Sequence, residues 1–227
     1  MHTLNAIPFA PDLATLRQQA HINAGDDLAA EFDALVHEAV AVARPKAVYR
    51  EVFVEARGSD TVTMGGTMFR SRVMRMNLDR VERAFAFVVT CGTEMDAAIP
   101  VAGDPLKEFW LDVVKMGALG EARVALTEHF KTHYALQKSA MMNPGSGDAE
   151  VWPIEEQKPL FALIGDVRAA TGVQLTPSFL MTPNKTISGI CYATEVDFKT
   201  CQLCHRTECP SRAAPFNEAL WAKVHGK

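Results

Sequence analysis

The sequence predicts a chain of mixed strands and helices ahead of a cysteine-rich C-terminal segment, and three observations carry the mixture. Val48–Ala56 is rich in β-branched and aromatic residues, Gly58-Ser59-Asp60 supplies turn chemistry, and Thr61–Met64 resumes an alternating pattern, so this stretch reads as a hairpin. Phe85-Ala-Phe-Val-Val-Thr90 is apolar almost throughout, which suits a strand buried on both faces. Asp104-Pro105 opens a helix, because Asp caps free amides and Pro tolerates the first helical position.

In chain order, residues 1–45 are expected to form an N-terminal helical arm. Pro8, Pro11 and Gly25 surround one brief helix. Leu28, Phe32, Leu35, Val36, Ala39 and Val42 then recur at helical spacing, with Asp26 or Asp27 as N-cap and Pro45 as the stop. After the hairpin, Gly65-Gly66 is a break, Thr67–Val73 an extended piece and Met76–Val81 a short helix. The buried strand ends at Cys91-Gly92.

The helix that starts at Asp104 follows Leu106, Trp110, Val113, Val114, Gly117, Val124, Leu126 and Phe130 to about Gln137, which makes it the longest in the chain. Gly117 and Gly120 each cost about 1 kcal/mol of helix propensity, so that face is expected either to be closely packed or to kink. Ser139–Pro153 contains Asn143-Pro-Gly-Ser-Gly-Asp148 and reads as a loop of functional length. Glu155–Ala170 reads as one helix, with Pro159 in its first turns and Thr171-Gly172 as its end. Phe179–Met181 and Thr186–Tyr192 read as two strands joined by Thr182-Pro-Asn-Lys185, and Pro215–Val224 as a closing helix.

Four of the five cysteines lie within Cys191–Pro210, with nine, two and four residues between successive ones. The two-residue gap lets Cys201 and Cys204 turn toward one point, and the other gaps leave slack for Cys191 and Cys209 to complete a tetrahedron. Four thiolates satisfy either a [4Fe–4S] cluster or a structural zinc. Pro210 matches the Cys-Pro ending of ferredoxin-type runs, and no second Cys/His pair with zinc-finger spacing follows. Pairing as disulfides is the competing reading, but nothing at the N-terminus resembles a secretory signal, so a reducing, cytoplasmic location is expected. His205 is an alternative ligand, though a residue beside a ligand more often faces solvent.

Composition narrows the partners. The chain has 227 residues, 48% hydrophobic and 22% charged, with a net charge of −4. No basic stripe is available to neutralise phosphates, so a nucleic-acid partner is not expected. No apolar run approaches the roughly 20 residues that span a bilayer, so neither is a membrane. Cys91 reads as a small core residue, Glu94 and Asp96 as capping or solvated acids, and His129 and His133, one turn apart, as an exposed pair lacking an acidic partner that would complete a metal site. Trp110, Trp152 and Trp221 read as core or interface aromatics. No Ser/His/Asp triad, phosphate-binding glycine loop or radical-enzyme cysteine run is present, and no catalytic residue is assigned.

Several motifs occur in a familiar order: Ala86–Glu94, the helix after Asp104, Asn143-Pro-Gly-Ser followed by Trp152 and Glu156-Gln-Lys158, then Gly172–Ser178 before Lys185–Gly189. Together they resemble the activation domain of cobalamin-dependent methionine synthase and its stand-alone relatives, over roughly Val48 to Ile190. For residues 46–190 the resemblance implies one α+β domain with an antiparallel sheet and flanking helices. Residues 191–227 are then a cluster-binding tail packed on it. The resemblance further implies binding of S-adenosylmethionine and docking on a corrinoid-binding protein or a cobalamin-dependent methyltransferase. There an electron and the sulfonium methyl group restore partner-bound cobalamin from the cob(II) state, so a corrinoid reductase or reactivase is the enzyme class at issue.

In that setting Asn143, Pro144, Gly145, Ser146 and Trp152 are the implied lining of an adenosylmethionine or corrinoid cleft. The tail takes over a role otherwise filled by a flavoprotein and requires a low-potential electron donor. The alternative is a zinc-stapled binding module without redox activity. This sequence departs from the family's pattern in two places. Met141 and Ser146 stand where the family has an arginine and a tyrosine, and methionine cannot make the paired hydrogen bonds that arginine gives a carboxylate. Cys191 stands where an aromatic is expected, which would build the metal site into the old ligand pocket. The acidic residue that the family's long helix offers its ligand matches Glu121 or Glu128.

Overall fold

The structure is a computed structural model and describes residues 1–23, 25–148, 151–209 and 212–225. Its centre is β5 (Arg83–Thr90), every residue of which from Ala84 onward is buried. Only a strand without exposed faces tolerates so continuous an apolar run, as the sequence predicts. β5 pairs antiparallel with β2 (Lys46–Arg57) through eight residue pairs and with β9 (Thr186–Ala193) through seven. β3 (Thr61–Met64) and β4 (Thr67–Arg70) extend the sheet beyond β2, and β6 (Ser139–Met142) closes the other edge on β9. The expected antiparallel sheet with flanking helices is therefore present.

Alternation along the strands sorts side chains to two faces. Tyr49, Phe85, Phe87, Val89 and Cys191 face one core, which is covered by α1 (Leu13–Gln19), α2 (Ala29–Val42), the short α4 (Glu94–Ala98) and α5 (Pro105–Tyr134). Val48, Val52, Ala84, Ala86, Val88, Ile190 and Tyr192 face the other. That core is covered by α3 (Arg72–Asn77), α6 (Gln157–Ile164), α7 (Val167–Thr171) and α8 (Glu218–His225). Asp104 caps α5 as predicted, accepting from the amides of Leu106 and Lys107 at 3.2 and 3.1 Å. Among the described residues no helix is long and apolar enough to cross a membrane.

The structure differs from the sequence reading at several points. The arm carries a strand, β1 (His2–Leu4), which pairs with Ala47–Tyr49 of β2. α2 starts at Ala29 without an aspartate side-chain cap. The short helix after β4 begins at Arg72, four residues early, because the Ser71 hydroxyl accepts from the Met74 amide. Ser139–Met142 is strand rather than loop, since this stretch contains no breaker and β9 offers it a free edge. The single helix expected over 155–170 is split at Gly165, whose φ of +119° suits glycine alone, and Asp166 caps the second piece. β8 (Met181–Thr182) pairs with β7 (Gln174–Leu175), not with β9.

Two glycines predict opposite outcomes. A Cβ on Gly189 would lie 2.2 Å from the Met142 carbonyl oxygen and 2.7 Å from Asn143 Nδ2, whereas one on Gly120, inside α5, would meet nothing within 4 Å. Gly189→Ala is expected to destabilise the protein by about 1–3 kcal/mol through overpacking. Gly120→Ala is expected to stabilise it by about 0.5–1 kcal/mol through helix propensity. Urea unfolding of the two variants checks both signs.

Candidate functional site

β6 ends at Met142 and hands the chain to the loop Asn143–Asp148. The Asn143 amide donates to the Ser188 carbonyl at 2.7 Å, and the Ser188 hydroxyl donates to the buried Gln157 side chain at 2.5 Å. The Gly145 amide donates to the Trp152 carbonyl at 2.8 Å, which closes the loop at its base. Trp152 is fully buried and meets Phe69 edge-on at 5.9 Å, so its ring anchors the loop instead of lining an open cleft.

Behind Trp152 lies Glu156. Burial raises its carboxyl pKa above the ordinary value, and the opposing hydrogen bond from the Arg70 amide, at 3.3 Å, does not cancel this. The Trp152 indole N–H also favours the charged form, but it makes no hydrogen bond of normal geometry.

The tail approaches this loop from the same side of the sheet. Phe198 and Leu203 insert into the core that holds Ile190 and Tyr192. Between them a 3-10 turn, Thr200–Leu203, presents Cys201 and leads to Cys204. Arg212 holds the segment together from behind: its guanidinium donates to the carbonyls of Cys201 at 3.3 Å, Cys204 at 3.1 Å and Ala214 at 3.0 Å, and also to that of Arg206. Four carbonyls converge on this one cation, which ties Cys201, Cys204 and Arg206 to Ala214, and Cys201, Cys204 and Cys209 are all half-buried. His205 lies against Phe216 and Trp221, at centroid distances of 4.5 and 4.3 Å, with Asp148 3.6 Å from its Nδ1.

Loop and tail meet at Gly147. It has a φ of +84°, and a Cβ there would come 2.8 Å from Thr200 Cγ2 and 3.9 Å from the Cys204 Cβ. Two stretches that are separate in sequence, the Pro-Gly loop and the Cys201–Cys204 turn, thus form one surface. Beside it the tail covers a cleft of about 680 Å³, bordered by Gly58, Arg75, Asn77, Asp197, Gln202 and Lys223.

The other candidates lie elsewhere. Cys191 sits on β9 between Phe85 and Met141, on the α5 side of the sheet, and burial pushes its thiol up to about 11. Cys91 is in the same core, pushed up to about 12 by burial. Among the described residues no group of three or more His, Cys, Asp or Glu is arranged as a metal site, and Pro210 lies outside them. Met141 is half-buried in β6, Ser146 half-buried in the loop and Glu121 exposed, while Glu128 pairs with Lys131 at 2.5 Å. His129 and His133 stack at 4.0 Å, and His129 Nε2 bonds the Tyr49 hydroxyl at 2.7 Å. Sequence reading missed Arg212 and the Gly147 contact. Only the basic residue three positions after Cys209 hinted at the first, and nothing local hints at the second.

No family model matches the sequence, and no curated protein matches it. Among solved structures the chain is similar to the crystal structure of the MetH reactivation domain bound to AdoHcy, with a TM-score of 0.55 and 16% identity. The match covers 87% of this chain and 80% of that one. The fold is that of the MetH reactivation domain. At this identity the likeness concerns the path of the chain, so the site rests on its own residues.

Glu156 generates a pH prediction. A carboxyl whose folded pKa lies above its ordinary value of 4.5 stabilises the fold below that value, and this contribution is lost as pH rises through the raised pKa. Thermal midpoints of the wild type are therefore expected to fall relative to Glu156→Gln as pH increases from 4.5 toward neutrality. Parallel curves for the two proteins would show that this carboxyl is solvated.

Proposed function

We propose that this protein is an accessory factor for a cobalamin-dependent methyltransferase of the methionine synthase type, and that its tail carries an iron–sulfur cluster. By electron transfer the protein reductively activates or maintains the partner's corrinoid. The observation that carries the reading is the contact of Gly147 with the Thr200–Cys204 turn on a reactivation-domain fold. It seats the cysteine segment against the loop that the motif resemblance marks as the cleft.

The cluster reading rests on the cysteine spacing, since the described cysteines are not gathered as a metal site; Cys201, Cys204 and Cys209 are half-buried, and Arg212 binds the carbonyls of the first two. A cluster held by Cys201, Cys204 and Cys209 would supply a single low-potential electron. The chain's own residues do the rest. Arg212 fixes the carbonyls of Cys201 and Cys204 and so limits how far the turn can reorganise. Phe198 and Leu203 anchor the segment to the sheet, and Gly147, lacking a side chain, lets the loop approach Thr200 closely.

The similar structure holds AdoHcy, and an adenosyl ligand is proposed here for the surface around Asn143–Ser146. Met141 offers no cation to a methionyl carboxylate, so the residues of this chain support the electron-transfer half of the reading more than the methyl-transfer half.

The test uses anaerobically reconstituted protein, a cobalamin-dependent methyltransferase in the cob(II) state and dithionite, followed by absorption. Conversion of the cobalt spectrum is expected to be at least about tenfold faster than with dithionite alone, and Cys204→Ser is expected to remove the acceleration. A colourless, zinc-loaded protein, or equal rates with and without it, would contradict the proposal and favour a zinc-stapled binding module.

A further inference from the structure

The cleft of about 680 Å³ beside the tail is walled on one side by Gly58 and α3 and on the other by the tail and α8. That volume suits a small organic molecule. We propose that the cleft binds an organic anion of single negative charge with an apolar body, held by donors that the tail and α8 supply. No cysteine lines it, so the inference stands apart from the cluster reading.

The charges of the lining cancel except for one. Arg75 donates to Asp79 at 2.7 Å and to the Gly58 carbonyl at 2.9 Å, and Asp197 lies 3.5 Å from the ammonium of Lys199. Lys223, on the α8 wall, makes no ion pair among the described residues. The unmatched charge at the cleft is therefore a single ammonium.

The neutral polar groups have the same preference. Gln202 Oε1 accepts from the Lys199 amide at 3.0 Å, and Asn217 Oδ1 accepts from the Leu220 amide at 2.9 Å. The backbone thus takes up the acceptor end of each side chain and leaves both NH2 ends as donors. The Asn217 amide also donates to the Gln202 carbonyl at 2.8 Å, which ties the tail to the start of α8 and sets the two side chains side by side. Two oriented amide donors and an unmatched ammonium suit a carboxylate or sulfonate. Met76, Phe198 and Leu220 supply the apolar part of the lining.

A buried group next to the cleft is also left without a partner. Tyr192 is 1% exposed, and its hydroxyl, which makes no hydrogen bond of normal geometry, adjoins the Asn77 side chain that lines the cleft. Buried hydroxyls are ordinarily bonded, so a polar group of a bound molecule at Asn77 has an unused partner there.

The experiment titrates the full chain with two probes of one shape, 8-anilinonaphthalene-1-sulfonate and the uncharged N-phenyl-1-naphthylamine, by calorimetry and fluorescence. The variants are Lys223→Gln, Gln202→Glu and Asn217→Asp. The last two keep the acceptor that the backbone uses and replace a donor with a negative charge. The wild type is expected to bind one sulfonate per chain saturably. Each variant is expected to weaken the sulfonate about tenfold or more, the worth of one hydrogen bond to a charged group, while changing the affinity of the uncharged probe less than about twofold.

Unchanged sulfonate affinity in the variants, with thermal midpoints preserved, would overturn the proposal. So would a wild type that binds the sulfonate without saturation or at several sites. Equal weakening of both probes would overturn the anion assignment, because the substitutions would then act on the shape of the cleft and not on charge recognition.

Discussion

The two-residue period of β9 decides to which half of the molecule everything near the C-terminus belongs. β9 lies between β5 and β6, paired on both edges, so its register is fixed by eleven residue pairs and not by local preference. Ile190 and Tyr192 then have to face the layer of α3, α6 and the tail, while Cys191 has to face α5. The tail follows directly from β9 and docks where Phe198 and Leu203 find apolar surface. Burying each of these two side chains contributes about 1.5–3 kcal/mol to holding the short segment between them. The position of the cysteine turn is thus a consequence of sheet parity.

The same parity brings the Pro-Gly loop and the cysteine turn together. β6 is the edge strand beyond β9, and its last residue, Met142, leads into Asn143 on the side of the sheet where the tail lies. Gly147 and Thr200 then meet closely enough that no larger residue fits without a shift. Arg212 completes the arrangement by satisfying backbone carbonyls that a tight turn would otherwise leave to solvent.

The sequence made some of this legible, and the reasons differ by element. β5 and the start of α5 were readable because their signals are local: a continuous apolar run in one case, and an Asp-Pro cap in the other. The break at Gly165-Asp166 was also local, a glycine followed by a capping residue, but it was hidden by helical periodicity that continues through it. β6 was missed because four residues without strong propensity become strand only when an edge is offered from far along the chain. The cysteine spacing marked the tail as the chemically distinctive segment. Spacing alone, however, treats Cys191 as equivalent to its neighbours, whereas a strand places it by face. The period of two, which puts Ile187 and Cys191 on one face and Ile190 and Tyr192 on the other, held that information, but only pairing with β5 shows which face is which.

The role proposed for the tail depends on a reduction potential low enough to serve a corrinoid. An EPR-monitored redox titration of the reconstituted protein measures it directly. The account predicts one reducible cluster with a midpoint at or below about −400 mV, in the region of plant-type ferredoxins. A midpoint near or above zero, or no reducible centre at all, would contradict an electron-supplying function and leave the reactivation-domain fold in the service of binding alone.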